Sequence, residues 1–408
     1  MKKRIIVLCA VIAVLSCLAV MSGQASGIMD MFGRKEQTVT ISQEEYDRLK
    51  RYEEMDTILQ YIEEWYYIEP DVDALIENAT RGLLYGLEDP YSFYYNEAEW
   101  TEMWEDDEGE YTGIGIQLLG SYEDYTVTIT RVFSDTPSEE IGLKKGDMLV
   151  RVEDIEVDVY SMQNAVNVMR GSMEDLGKTV EIEVKRDGEY ITFQVPRAVI
   201  HVNQVEYTML EDQVGYIILY QFAGESEKEF SRALDELKSQ GAKALIVDLR
   251  DNGGGWVDAA RQIGDLFLDD GLLVYSQDRY GERDDIKMTA GKDDIPLVML
   301  VNGNSASSSE ILSGGLRDRG RATLVGTQTY GKGIIQAVVP LNDNKEGFQM
   351  TYAQYYLPSG TEVHKIGITP DVICEMPEEM ENQNFFLGDM TDPQLYTAWE
   401  TAKGMIQE

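Results

Sequence analysis

The pattern of apolar and polar positions changes character several times along the chain. After Lys2, Lys3 and Arg4, an apolar run extends from Ile5 to Met21. Residues 26–40 are largely polar and read as a linker. Apolar residues then recur at Tyr46, Leu49, Tyr52, Met55, Ile58, Leu59 and Ile62, a spacing that predicts an amphipathic helix. Ser42, with Glu45 three residues on, supplies its start. A second amphipathic stretch, Val72 to Leu87, ends at Asp89-Pro90-Tyr91-Ser92. From Tyr111 the period shortens to that of strands, with runs at Val127–Val132, Met148–Val152, Val180–Lys185 and Ile191–Val195. A helix is predicted over Met162–Met169. From His201, strands (Val214–Tyr220, Ala244–Leu249, Pro296–Val301) alternate with helices (Ser226–Gln240 and the stretch holding Ala259, Ile263 and Phe267), an α/β pattern. Strand-like runs at Ala337–Leu341 and Phe348–Leu357 follow, then a polar tail and a last helix from Thr391 to Lys403 with Pro393 in its first turn.

The basic flank and apolar run at the N-terminus read as a secretory signal or an uncleaved anchor. Gly23-Gln24-Ala25 offers a small-x-small cleavage site. A lipid on Cys17 is a third option, opposed by the apolar Leu18–Met21 after it. In each case the rest of the chain works outside the cytoplasm, secreted or anchored on the outer face of the membrane.

The 408 residues suffice for two or three domains. Losing residues 1–25, whose charges are Lys2, Lys3 and Arg4, takes the formal charge from −39 to −42. Such a surface repels phosphates and excludes nucleic acid as partner. Cys9 and Cys17 lie in the apolar run and Cys374 stands alone, so a processed chain has no internal disulfide and no cysteine-based metal site.

The candidate chemistry sits in Asn304–Gln336. The strand PLVMLV runs through Asn302-Gly303-Asn304 into Ser305-Ala306-Ser307-Ser308-Ser309 and Glu310-Ile311-Leu312. Small hydroxyl residues at a strand-to-helix junction cap the helix and stand where free N–H groups favour negative charge. Gly331-Lys332-Gly333 follows, with Gln336 four residues after the lysine. One reading is a serine-rich cap and a glycine turn. The other is a serine nucleophile activated by a lysine whose pKa burial lowers. His201 and His364 are the sole histidines, so a Ser-His-Asp enzyme has few candidates.

The run SASSSEIL followed by GKGIIQ resembles the catalytic signature of the C-terminal processing peptidases, or tail-specific proteases. Laid on this chain, the resemblance gives Ser307 as nucleophile, Lys332 as base 25 residues later and Gln336 as its orienting partner. Ser308 stands where that family has alanine, a change that leaves the backbone N–H in place. DLRDNGGG (residues 248–255) resembles the second signature. It lacks the P-loop lysine and the dinucleotide spacing. Its place suits an oxyanion hole built from the N–H of Ser308 with that of Gly253 or Gly254. Asp248 and Arg250 read as a structural ion pair.

The ordered series YTGIGI, PSEEIGL, Gly146-Asp147 and helix resembles a PDZ domain. Ile114, Gly115 and Ile116 are its peptide-binding candidates, through edge-strand addition and capture of a terminal carboxylate. Arg170 either answers its helix dipole or pairs with the peptide carboxylate. LEDPYSFYY resembles the segment ahead of the PDZ domain in the same family. The aromatic stripe of the helical arm packs into a core or contacts a second copy; the resemblance implies arms that pair subunits, hence a homodimer.

The implied fold is multidomain, α/β and α+β: a crotonase-like (ClpP/crotonase type) catalytic core with a PDZ domain and an N-terminal helical arm. Segment boundaries follow as 1–25 signal or anchor, 26–40 linker, 41–108 helical region, 109–200 PDZ domain, 201–375 peptidase core and 376–408 tail and helix. The expected function is a Ser-Lys endopeptidase acting on exported or envelope proteins with free C-termini, without metal or organic cofactor. The alternatives are a non-catalytic PDZ scaffold and, against the export signal, an acyl-CoA enzyme on the same core.

Overall fold

The computed structural model describes residues 39–121, 124–289, 293–380 and 385–407. The expected signal or anchor, and all but the end of the linker, lie outside the described residues. Among those described, no helix is long and apolar enough to cross a membrane. The chain divides into two units, Met1–Ile76 and Glu77–Glu408.

The first unit holds the helices Gln43–Leu49 and Glu53–Trp65, joined by a tight turn at Lys50–Tyr52. Its start follows the sequence signal. Ser42 N–H donates to Glu45 Oε2 at 2.8 Å and Glu45 N–H donates to Ser42 Oγ at 3.1 Å, satisfying two orphan donors reciprocally. No residue of either helix is buried. Among the described residues, Tyr46, Leu49, Tyr52, Met55 and Ile58 all stay exposed.

In the second unit, the β-rich module forms a sheet in the order Ile116–Gly120, Val127–Val132, Met148–Val152, Thr179–Arg186, Glu189–Pro196. Val180, Ile182 and Val184 alternate inward along one strand and are fully buried, as a period of two requires. Ile116–Gly120 ends the sheet, and one of its edges stays open beside the helix Met162–Arg170. Gly115 precedes that edge at φ +89°. A Cβ there would meet the Thr136 side chain at 2.4 Å, so only glycine fits.

The α/β part centres on a parallel sheet of Val214–Leu219, Ala244–Asp248, Leu297–Val301, Thr323–Gly326 and Val372–Ile373, with Val205–Met209 antiparallel at one end. One face packs Ile217, Val247 and Met299 against the helices Ser226–Ser239, Val257–Asp265 and Ser308–Asp318. The other packs Tyr216, Ile246 and Leu300 against Pro393–Gln407. Covering both faces explains why ALIVD and LVMLV are apolar throughout rather than alternating. The final helix runs past the predicted Lys403, and Leu387 and Met390 of the polar tail pack beside it. A second, antiparallel sheet joins Phe93–Tyr95, Ile334–Leu341 and Gly271–Asp278 to the long strand Glu346–Tyr356.

Candidate active site

The carboxyl ends of two neighbouring parallel strands, Ala244–Asp248 and Leu297–Val301, throw out the glycine loop and the serine turn side by side. Side chains lace them together. Ser305 Oγ donates to the Leu249 carbonyl (2.7 Å), Ser309 Oγ to that of Asn252 (2.8 Å) and Ser308 Oγ to that of Gly255 (2.7 Å). Asp251 Oδ1 accepts from the side-chain amides of Asn302 (2.9 Å) and Asn304 (2.8 Å). Three serines of the cluster therefore have structural duties. The fourth, Ser307, lines a cavity of about 330 Å³ with Lys332, Gln336, Gly255, Trp256 and Val338.

Ser307 sits at φ +54°, ψ −116°, at the N-terminus of Ser308–Asp318. A non-glycine residue there is strained, and such strain persists only when its surroundings over-determine it. Ser307 N–H donates to Glu310 Oε2 at 3.0 Å. Its carbonyl accepts from Glu310 N–H at 2.8 Å, Ile311 N–H at 2.9 Å and the buried Tyr355 hydroxyl at 3.3 Å.

Glu310 is the hub. It is fully buried, and its carboxylate also accepts from Thr329 Oγ1 (2.5 Å), Gly331 N–H (2.8 Å) and Lys332 N–H (2.9 Å). Burial pushes its carboxyl above the ordinary range, against hydrogen bonds that favour the anion. One side chain thus ties the serine turn to the lysine loop. The sequence reading placed Glu310 in the SASSSEIL run without giving it a role; its position three residues after Ser307 was the available signal.

Lys332 is largely buried, which lowers its pKa from the ordinary lysine value while Asp89 and Glu310 pull it back up. Its Nζ lies 4.6 Å from the centroid of the Tyr91 ring. Gln336 Nε2 donates to Thr351 Oγ1 at 3.0 Å. Among the described residues no hydrogen bond joins Ser307 Oγ, Lys332 Nζ and the Gln336 side chain. The fold brings the three to one cavity without engaging them.

Of the oxyanion candidates, Ser308 N–H opens the helix. Gly254 packs directly on the serine turn: at its φ of +106° a Cβ would meet Ser307 Cβ at 2.8 Å and Ser308 N at 3.0 Å. Its own N–H, however, donates to Asn252 Oδ1 at 2.9 Å and is not free. Gly253 has open space around its Cα. Gly255, which sequence reasoning passed over, lines the cavity. Trp256 stacks on Trp104 (centroids 5.9 Å apart, 20° between planes), giving the cavity an aromatic rim that no spacing rule announced.

Ile114, Ile116 and Arg170 line a second cavity, about 440 Å³, with Leu118, Met162 and Val166 between the open strand edge and the helix Met162–Arg170. Arg170 closes the last turn of its helix at the groove, but its guanidinium is already engaged. It pairs with Glu102 (3.3 Å) and Glu105 (3.7 Å) and lies over the Tyr111 ring. Asp248 and Arg250 form a buried pair at 2.6 Å, and Asp392 joins it at 2.8 Å.

A parallel α/β core whose loops gather small hydroxyl residues, a buried lysine and a peptide-sized groove on an adjoining β-module defines a protease with a peptide-reading domain. Comparison with known proteins agrees. The chain matches Peptidase family S41 over residues 213–374, the PDZ domain over 112–196 and the Activating protease CtpB N-terminal domain over 18–99. It is 33% identical to a carboxy-terminal-processing protease of Bartonella bacilliformis, across 86% of this chain and 82% of that protein. It is 30% identical to the carboxy-terminal processing protease CtpA of Bacillus subtilis, across 80% and 70%. Among solved structures, a photosystem II D1 C-terminal processing protease is 27% identical with a TM-score of 0.50, across 87% of this chain and 100% of that one. The chain belongs to the S41 peptidases, among the C-terminal processing proteases that carry a PDZ domain.

Proposed function

We propose that this protease is a Ser-Lys endopeptidase that reads protein C-termini through its PDZ groove and cleaves exported or cell-envelope proteins. The observation that carries the reading is the Glu310 carboxylate, which holds the backbone of Ser307 and of Lys332 against one cavity. Ser307 Oγ attacks the scissile carbonyl. Neutral Lys332 takes the hydroxyl proton and delivers it to the leaving amine, with Gln336 turning from Thr351 to orient the lysine. The N–H groups of Ser308 and Gly253 hold the oxyanion, each contributing about 3–4 kcal/mol to lowering the barrier. Gly254 N–H joins only if its bond to Asn252 breaks. The described arrangement is a resting form, because its lysine has yet to reach its serine.

The core is crotonase-like, with the segment boundaries set out above. The exposed arm pairs two copies into a homodimer, and the N-terminal segment delivers the protein to the outer face of the membrane. Substrate C-termini add to the open edge of Ile116–Gly120 and place an apolar last residue between Ile116 and Val166, displacing the Glu102 and Glu105 carboxylates from Arg170.

The test is digestion of an unfolded polypeptide with an apolar C-terminus by protein lacking residues 1–25. Cleavage by wild type and none by Ser307→Ala supports the reading. Cleavage surviving in Ser307→Ala removes the nucleophile. Binding without cleavage by either favours a scaffold. Val166→Asp puts a charge in the groove wall and is expected to weaken binding of that C-terminus at least about tenfold, or 1.4 kcal/mol. Fluorescence anisotropy in the Ser307→Ala background checks this.

A further inference from the structure

Tyr91 and Lys332 are far apart in sequence, yet the Tyr91 ring is the group over which Lys332 Nζ rests, 4.6 Å from its centroid. We propose that Tyr91 is a positioning residue for the general base. Its ring holds the Lys332 ammonium away from Ser307 in the resting form, and the Asp89–Ser92 turn that carries it sets where the amine can move. The proposal rests on Lys332 being the base.

The turn is built to hold the ring in place. Ser92 Oγ donates to Asp89 Oδ2 at 2.6 Å, and Tyr91 N–H donates to Asp89 Oδ1 at 3.1 Å. The turn is docked on the strand Glu346–Tyr356: Thr351 N–H donates to Ser92 Oγ at 3.0 Å, and Gln349 Nε2 donates to the Tyr91 carbonyl at 3.1 Å. The residues that follow, Phe93–Tyr95, pair with Gly347–Gln349 of that strand. Thr351 also accepts from Gln336 Nε2. The rest for the lysine and the rest for its orienting glutamine therefore belong to one connected piece of structure.

A ring face attracts an ammonium and does little for a neutral amine. Tyr91 thus favours the charged, unreactive lysine. The phenol itself is no acid or base here: its hydrogen bond with Tyr330, at 3.4 Å, and burial push its hydroxyl to about 12. The other charged groups acting on Lys332 are Asp89 from the same turn and Glu310 from the serine helix; Asp258 also lines the cavity. Tyr330 lies beside Tyr91, and His364 backs the adjoining Gly333. Tyr91→Phe and Tyr91→Leu both remove the hydrogen bond to Tyr330, so the comparison between them isolates the ring.

The experiment is the pH profile of kcat/KM for wild type, Tyr91→Phe and Tyr91→Leu, each first shown to bind a C-terminal peptide normally. Tyr91→Phe keeps the ring and should keep the acid-limb midpoint. Tyr91→Leu should move that midpoint to lower pH by roughly half a unit, the size of a partly exposed cation–π contact. Should Tyr91→Leu fail to fold, pentafluorophenylalanine at position 91 keeps the shape and removes the negative face, and should give the same shift. A merely structural role lowers the plateau and leaves the midpoint alone. An unmoved midpoint without the ring, or an equal shift in Tyr91→Phe, overturns the proposal. Failure of the base reading looks different: Lys332→Ala would then keep both the activity and the acid limb.

Discussion

Ser307→Ala and Lys332→Ala, singly or together, are expected to lower kcat by one common factor, about 10⁴- to 10⁶-fold. In the proposed mechanism the nucleophile and its base act in a single step, so removing either removes the step, and removing the second adds nothing. What survives is binding and oxyanion stabilisation. The acid limb of the wild-type profile belongs to the same pair. As the proposed base, Lys332 must be neutral to accept the proton, and burial lowers its pKa below the ordinary lysine value of about 10.4 while Asp89 and Glu310 oppose the fall. Activity therefore rises with pH through that lowered pKa and is lost below it. Single-turnover cleavage by the two single variants and the double variant measures the coupling. Losses that multiply would mean independent roles, and the Ser-Lys step would have to be abandoned.

The strands and helices were legible because their causes are local. The continuous apolar runs ALIVD and LVMLV announced strands covered on both faces, and the Ser42–Glu45 pair announced a helix start. That Ser307, Lys332 and Gln336 meet at one cavity was suggested by a motif of fixed spacing, although a helix and a strand lie between the first two; their roles belong to the proposed mechanism. Hidden from sequence were contacts that cross the chain. Tyr91 on Lys332, Tyr355 on the Ser307 carbonyl and Trp104 on Trp256 join residues that only the fold makes neighbours. Hydrogen-bond direction was hidden too. Gly254 carries the glycine signature of close approach, but its amide is taken by Asn252 Oδ1, which no motif encodes. The fate of an amphipathic stripe is equally undetermined by its period. The same spacing that buries Phe230 and Leu237 in one helix leaves Tyr46 and Leu49 open in another.

Glu310→Ala should damage both stability and catalysis, which separates it from changes at Ser307 and Lys332. The substitution leaves the buried Gly331 N–H and Thr329 hydroxyl, and the partly buried N–H groups of Ser307 and Lys332, without their acceptor. Each unsatisfied donor costs about 1–3 kcal/mol, so a loss of roughly 4 kcal/mol or more is expected, from a total stability of about 5–15 kcal/mol. Glu310→Gln keeps one acceptor oxygen but turns an NH₂ toward N–H groups, and should fall between Ala and wild type. Catalysis suffers by a separate route. The φ of +54° at Ser307 is held in part by the bond from its N–H to Glu310 Oε2. Without that bond the turn relaxes toward ordinary backbone, moving Ser307 Oγ away from the cavity it shares with Lys332. The expected signature is a lowered Tm, kcat down by more than about 10³-fold and amide exchange accelerated at Ser307, Gly331 and Lys332, with C-terminal peptide binding in the distant groove unchanged. A variant with wild-type Tm and only a few-fold loss of kcat would show that the serine turn and the lysine loop hold their places without the carboxylate between them.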